Sequence, residues 1–427
     1  MYKILLYVFA AVIALTSAIG LPIYKEETGL STTAAQVSDA SGTVSLEFAK
    51  QRVNTVEIEL EGEAECEITV YNNDEVIYSR ASSDAYRFCA FPTVETDKLT
   101  VKISNGTAKS VKASFKQSEN GDFRVTSYVV ADRIQSASDL NPKAFDVITD
   151  AILFGCVTFD ENAQMTVNTP ILETALANLR NAIGDRNVNV YVNILGPGSD
   201  GGISDWNAQM ANQAEKHSKA FATRRLEGQI AELLEKYNLD GIFFDYEYPI
   251  EKKSWSDFSR FLVRLNKTTD KKIGIAVAHW DLGLSYAAIR AVDMVELMQY
   301  DLFDAQGNHS SFTTAVDGFE AARDYLLPRD KADIGIPFYA RPASGAAYWP
   351  SYADYAEALG KNTDYTETEY GKAYFNSWQT VYDKTAYTMS RGLGGMMVWH
   401  YSCDVYDTDS SLSLFGAMKD CINDRTV

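Results

Sequence analysis

The chain has 427 residues, 39 basic and 58 acidic, for a net charge of −19. That length exceeds one average domain and leaves room for a barrel plus a smaller module. The acidity excludes nucleic acid as the expected partner, because phosphate binding needs a basic footprint; a neutral or weakly cationic ligand is compatible with it, although solubility alone accounts for such charge.

The N-terminus carries Lys3, then an apolar run from Ile4 to Ala18 that ends in the small residues Thr16, Ser17 and Ala18. Residues 1–20 read as a secretory signal peptide cleaved near Ala18 or Gly20, so export is expected. Apolar character continues through Ile19, Leu21 and Ile23 to Lys25, about 21 residues, enough to span a bilayer if uncleaved. The alternative is therefore a membrane anchor at the cell surface. Residues 21–41, with Glu, Thr, Ser and Ala prominent from Glu26, read as a linker.

From residue 42 to 118 the pattern becomes strand alternation, in Val53–Leu60, Cys66–Tyr71, Leu99–Ile103 and Val111–Phe115. This predicts a small antiparallel β-sandwich. Such modules bind carbohydrate or act as spacers; Tyr71, Tyr78 and Tyr86 suit either a core or a sugar platform. The five cysteines, Cys66, Cys89, Cys156, Cys403 and Cys421, have no metal-ligand spacing. Cys66 with Cys89, and Cys403 with Cys421, are candidate pairs after export, a connectivity that spacing does not fix.

From Asp122 the rhythm is strand, helix, strand. Strands are expected at Arg124–Val130, Ala151–Thr158, Val188–Leu195, Leu239–Pro249, Ile273–Ala278, Met294–Tyr300, Asp333–Tyr339 and Gly395–His400. Helices are expected at Lys219–Tyr237, at Trp255–Leu265 behind caps Ser254 and Ser256, and at Asn376–Ser390 with Gly392 as its stop. Eight strands alternating with helices over residues 122–427 predict an α/β (β/α)8 TIM barrel with its active site at the C-terminal strand ends.

The fourth strand reads Leu-Asp-Gly-Ile-Phe-Phe-Asp-Tyr-Glu-Tyr-Pro over Leu239–Pro249. Asp245 and Glu247 point to one side, about 7 Å apart at Cα for a strand rise of about 3.3 Å per residue. Carboxylates there must be paired, shifted in pKa or functional. The frame Asp240-Gly241-x-x-x-Asp245-x-Glu247 resembles the fourth-strand signature Asp-Gly-x-Asp-x-Asp-x-Glu of family 18 glycoside hydrolases, the chitinase family, with Phe243 at the inner Asp. Met298-Gln299-Tyr300-Asp301 is similar to that family's sixth-strand Met-x-Tyr-Asp. Gly335–Arg341 resembles its seventh-strand Gly-x-Pro-x-Tyr-Gly-Arg, with Ala340 for Gly. Gly394–Trp399, with Asp404 shortly after, resembles its eighth-strand Gly-Gly-x-Met-x-Trp. The resemblance runs from about Phe123 to Cys421 and leaves the sandwich uncovered.

The resemblance implies a retaining, substrate-assisted hydrolysis. Glu247 would be the general acid and then the base, with a raised pKa. The substrate's 2-acetamido oxygen would attack the anomeric carbon, with Asp245 on the acetamido N–H and Tyr300 donating to its carbonyl. Asp301, Met298, Tyr128 and Arg341 would bind the sugar, and Trp399 would floor the pocket. The implied partner is chitin or another N-acetylglucosamine glycan; no cofactor or metal is implied, and a monomer is expected. Alternatives are an N-acetylglucosaminidase acting on peptidoglycan or the N-glycan core, and a chitin-binding lectin, a class that typically lacks the acid Glu that Glu247 supplies.

Pro342–Arg391 is too short for a large inserted domain, which favours a shallow groove and endo-type attack, with Trp206, Trp280, Phe303 and Trp349 as further subsite candidates. Asn193 stands near the position where the family usually places a Ser. With Phe243 on the inward face, Asp245 lacks its usual inner partner and is expected to stay turned toward Glu247. Phe243→Asp should shift the pH–activity profile; superimposable profiles would show that the inner position does not tune Asp245.

Overall fold

The computed structural model describes residues 31–35, 42–60, 66–82, 86–118, 121–342 and 348–426. The expected signal segment lies outside them. Residues 31–35, within the stretch read as linker, instead form strand β1 (Ser31–Ala35). It is followed by β2 (Thr43–Leu60), β3 (Cys66–Asn72), β4 (Glu75–Ser82), β5 (Tyr86–Ser104) and β6 (Ala108–Ser114). These six form one antiparallel sheet in the order β1-β6-β2-β5-β3-β4.

The two long strands give this sheet its shape. β2 pairs with β5 from Thr43↔Lys102 to Glu59↔Tyr86, with register shifts between Glu47 and Gln51 and between Val53 and Thr55. Such bulges bend a strand and increase its twist. One end of β5 then pairs with β3, and the opposite end of β2 pairs with β6. A core of Val44, Leu46, Val56, Ile68, Val70, Leu99, Val101 and Val111 fills the concavity. Cys66 lies near the Ser104 end of β5, whereas Cys89 lies opposite Val56. They therefore lie toward opposite ends of β5; all five cysteines are buried free thiols, and neither candidate pair forms.

The barrel strands are β7 (Arg124–Val130), β8 (Asp150–Phe159), β10 (Asn189–Leu195), β11 (Gly241–Asp245), β12 (Lys272–Val277), β13 (Met294–Leu297), β14 (Ala332–Pro337) and β18 (Gly395–Trp399). Each pairs in parallel with its neighbours, and pairing of β8 with β10 closes the ring. β9 (Met165–Val167) adds antiparallel to β8, while β15 (Arg341–Pro342), β16 (Tyr365–Thr368) and β17 (Gly371–Tyr374) form a small sheet between the last two barrel strands.

Two helix expectations change. The segment expected as one helix is divided between α2 (Trp206–Ala222) and α3 (Leu226–Lys236), which follow α1 (Thr169–Ile183). The break coincides with Arg224 at φ 57° and with the Thr223 hydroxyl donating back to the Ala220 carbonyl at 2.8 Å. α4 spans Lys252–Leu265 behind Glu251, so Ser254 and Ser256 lie inside it and cap nothing. Its buried stripe of Trp255, Phe258, Phe261, Leu262 and Leu265 packs against the barrel as the spacing requires.

The sheet is joined to the barrel by buried polar contacts. Arg80 on β4 is 4% exposed; it donates to Asp364 at 2.8 Å and 3.0 Å and to Asp383 at 3.4 Å. Tyr78 donates to Asp383 at 2.9 Å, so this ring is part of the junction and not a sugar platform. Arg425, fully buried in the C-terminal helix (Leu414–Arg425), donates to Thr55 at 3.1 Å. A buried charge pair that loses one partner leaves an uncompensated ion, at a cost of about 3–5 kcal/mol. Arg80→Ala should lower unfolding free energy by about that amount in a denaturant titration; an unchanged midpoint would show that the junction adds no stability.

Candidate active site

Strand parity builds the barrel interior in layers. Tyr128, Ile152, Tyr191, Phe243, Ala276, Met294, Met298 and Met397 form an apolar cluster on the axis, with Phe154, Tyr248, Tyr300 and Trp399 packed against it. Phe243 is fully buried and meets Tyr191 edge-on, with centroids 5.2 Å apart at 88°; Tyr128 lies at 6.4 Å and 73°. Across the ladder stands Gly274, where a Cβ would come within 2.2 Å of the Phe243 ring. The ring fills the space that a side chain on β12 would otherwise take.

A second interior group is polar. Arg124 pairs with Asp333 at 2.6 Å, and Asp150 accepts from the Tyr191 hydroxyl at 2.8 Å and from Asn189 at 2.9 Å. Tyr128 donates to Glu296 at 2.9 Å. Asn193 is fully buried, with neither side-chain polar atom hydrogen-bonded to protein.

β11 ends at Asp245, whose side chain faces inward, and Glu247 follows two residues later in an exposed position. The two carboxyl groups are hydrogen-bonded to each other. Burial, and then the charge of Glu247, push Asp245 well above the ordinary aspartate range. Asp245 is thus turned toward Glu247. The Tyr248 hydroxyl also hydrogen-bonds Glu247, and Gln213 donates to the Glu247 carbonyl oxygen at 2.6 Å.

Tyr300, half-buried just beyond β13, has its phenol pKa raised by burial, then by the charges of Asp245, Tyr339 and Glu247. It therefore remains a hydrogen donor beside the carboxylates. Trp399 at the end of β18 packs edge-on against Phe154 at 4.8 Å and over Tyr128 at 5.2 Å. Asp301 has φ 58°, uncommon for a residue with a Cβ. It accepts from the Tyr339 hydroxyl at 2.6 Å and from Arg341 Nε at 2.6 Å, while its own N–H donates to His309 at 3.1 Å. Burial opposes the charge of Asp301, but the hydrogen bonds from Arg341 and Tyr339 outweigh it and hold the carboxyl well below its usual range.

Glu247, Asp245, Tyr300, Asp301, Arg341 and Trp399 thus gather at one end of the barrel. Tyr128 and Met298 do not line the same surface: at 1% and 7% exposed they belong to the apolar cluster beneath it. The four flanking aromatics are 44–50% exposed. Trp280 packs on Tyr248 at 4.8 Å, with Trp206 next to it at 6.4 Å; on the other side Trp349 stacks on Tyr339 at 5.0 Å beneath the Arg341 guanidinium. Phe303 lies against His309 at 5.6 Å.

Tyr339 and Tyr248 stand inside the seventh- and fourth-strand motifs but were given no role there; His309 and Glu296 carried no clear signal. Asp404 lies apart from the pocket and caps the C-terminal helix, accepting from the Leu414 and Phe415 N–H groups at 2.9 Å. No cluster of metal-ligating side chains occurs among the described residues.

The depressed Asp301 pKa makes a pH-dependent contribution to stability. It is present above the ordinary aspartate pKa of about 3.9 and lost as the pH falls below it. Arg341→Met should flatten this acid-side slope in thermal unfolding; an unchanged slope would mean that Arg341 does not hold the carboxylate.

Comparison with known proteins converges on the same elements. Residues 124–404 match the model of glycosyl hydrolases family 18. "Probable chitinase 2" of Drosophila melanogaster is 26% identical over 211 residues, 43% of this chain and 43% of that protein. "Chitinase A1" of Niallia circulans is 23% identical over 272 residues, 45% of this chain and 39% of that protein. The chain therefore spans less than half the length of either curated relative. Among solved structures, the GH18 chitinase ChiB of Flavobacterium johnsoniae aligns with TM-score 0.54 and 22% identity, covering 72% of this chain and 95% of that one. The chitinase-like agglutinin of Robinia pseudoacacia aligns with TM-score 0.51 and 20% identity, covering 69% and 99%; likeness at this identity supports the shared fold. With strands β7 to β18 inside the matched region and the four strand-end motifs in order, the chain belongs to glycosyl hydrolases family 18.

Proposed function

We propose that the protein is a secreted chitinase that hydrolyses β-1,4-linked N-acetylglucosamine polymers and acts as a monomer. The observation that carries this reading is the hydrogen-bonded carboxyl pair of Asp245 and Glu247 at the end of β11, with Tyr300 and Trp399 packed on the interior cluster beside it. Its members divide the chemistry. Exposed Glu247 donates its proton to the glycosidic oxygen as the bond to the anomeric carbon breaks. The acetamido carbonyl oxygen of the same sugar forms the new bond to that carbon, giving a cyclic oxazolinium ion.

Asp245 accepts from the acetamido N–H and offsets the positive charge, while Tyr300 donates to the acetamido oxygen and aims it. Glu247 then takes a proton from water as the water oxygen attacks the anomeric carbon and displaces the acetamido oxygen, which breaks the ring bond, restores the acid and the neutral acetamide, and retains configuration. Asp301, fixed as an anion by Arg341, presents a hydrogen-bond acceptor to the sugar next to the cleaved bond. The aromatics on both sides of Glu247 support an open groove and internal attack along a chain. Secretion rests on the N-terminal apolar run, which lies outside the described residues; no described helix is long and apolar enough to cross a membrane.

Product analysis on chitin oligosaccharides tests the reading. The wild type should release shorter oligosaccharides with retained anomeric configuration, and Glu247→Gln should lose at least about a hundredfold in rate. Binding without cleavage by the wild type would favour a lectin. Neither binding nor cleavage would redirect the search to peptidoglycan and the N-glycan core.

A further inference from the structure

β11 stops at Asp245, whose ladder partners are Leu195 and Ala276, so no strand pairing fixes Glu247 two residues beyond it. The aim of its carboxyl group then depends on what holds the chain on either side of its Cα. Both holds come from one side of α2, through Gln213 and His217, which stand four residues apart and are therefore neighbours on the helix surface.

After the Cα, the Gln213 amide nitrogen donates to the Glu247 carbonyl oxygen at 2.6 Å. Before it, Tyr246 is 4% exposed and belongs to the core between the barrel and its helices, not to the cluster on the barrel axis. Its ring lies flat on the His217 imidazole, with centroids 3.8 Å apart at 5°, and meets Phe258 of α4 edge-on at 5.5 Å and 81°. His217 is fixed in turn. It is 3% exposed, and its Nδ1–H donates to the Gln213 carbonyl oxygen at 2.9 Å. Its Nε2 lies against Gly196, just past β10, where a Cβ would come within 1.9 Å of that nitrogen. The ring keeps its place over Tyr246 because residue 196 has no side chain.

We propose that Gln213 and His217 are positioning residues for Glu247, the first holding the peptide that follows it and the second the residue that precedes it. The proposal rests on the assignment of Glu247 as the general acid. Rotation of the backbone at residue 247 would swing its Cα–Cβ bond, and with it the carboxyl group, away from the glycosidic oxygen. The Gln213 hydrogen bond resists that rotation on one side and the Tyr246 stack resists it on the other. Both holds are neutral: one is an amide, and burial pushes the His217 pKa down to about 4. They fix a direction without adding charge, so their loss falls on the chemical step and not on ground-state binding.

The test uses three variants and two readouts. Gln213→Met keeps the length of the side chain and removes the donor, and His217→Ala removes the stacked ring. Each should lower kcat on chitin oligosaccharides by on the order of 10–100-fold with KM unchanged. Gly196→Ala should act in the same direction by displacing the imidazole, and should add nothing in a His217→Ala background, where its methyl group has room. The second readout needs no substrate. With carbonyl-13C glutamate and 15N tyrosine, only Glu–Tyr peptide units give a correlated magnetic-resonance signal, and the sequence has two, Glu247–Tyr248 and Glu369–Tyr370. The Glu247 carbonyl resonance should move in Gln213→Met, which takes away its hydrogen bond. An unmoved resonance overturns the proposal, as does wild-type kcat in either folded variant, a loss confined to KM, or an equal loss from Gly196→Ala with and without the His217 ring. Should His217→Ala fail to fold, the half-buried Gln213 position still carries the test. If the wild type proves inactive on chitin, the resonance still decides whether Gln213 holds Glu247, and only the chitinase reading falls.

Discussion

Two carboxyl groups cannot both ionise cheaply when they touch in a partly desolvated place, and Asp245 with Glu247 is such a place. Much of the architecture can be read as maintaining that contact. β11 delivers Asp245 facing inward at its last residue and releases the chain so that Glu247 stands free in the mouth. Tyr248 and Gln213 hold Glu247 by its side chain and its carbonyl. The phenol of Tyr300 stays neutral beside both. By contrast Asp301, embraced by Arg341 and Tyr339, is fixed as an anion only one residue along the chain from Tyr300. Two acids of the same type are therefore shifted in opposite directions in one pocket, and the difference is whether the nearest partner is another carboxylate or a guanidinium.

The strands and the residues at their ends were legible because a parallel barrel imposes two simple rules: buried runs of apolar residues, and functional groups where those runs stop. Asp245, Glu247, Tyr300, Asp301, Arg341 and Trp399 all follow the second rule. Tyr128 and Met298 show its limit. Both carry the right parity but stand one layer too deep, and depth depends on strand tilt and stagger, which a linear sequence does not display. Glu296 was invisible for a related reason. It lies in the middle of Met-Val-Glu-Leu-Met, and only closure of the ring brings β7 across to give it a donor.

The contacts between domains were illegible as well. Nothing in the local pattern around Arg80 announces Asp364 and Asp383, which are 284 and 303 residues away. The same distance in sequence explains why Tyr78 reads equally well as a surface ring or a core ring until the barrel is placed against it. Helix limits failed more modestly. The helix expected over Lys219–Tyr237 had continuous apolar spacing from Leu226 onward, yet one left-handed residue, Arg224, divides it from the preceding helix.

Phe243 and Gly274 occupy a single volume on adjacent strands, with room for one large side chain between them. A chain that exchanged the phenyl ring for a short acid would open an aromatic-sized void next to Tyr191, and a chain that first enlarged residue 274 would collide with the ring still in place. Each single step passes through a poorly packed intermediate, so the two positions are constrained as a pair and neither can be exchanged without the other.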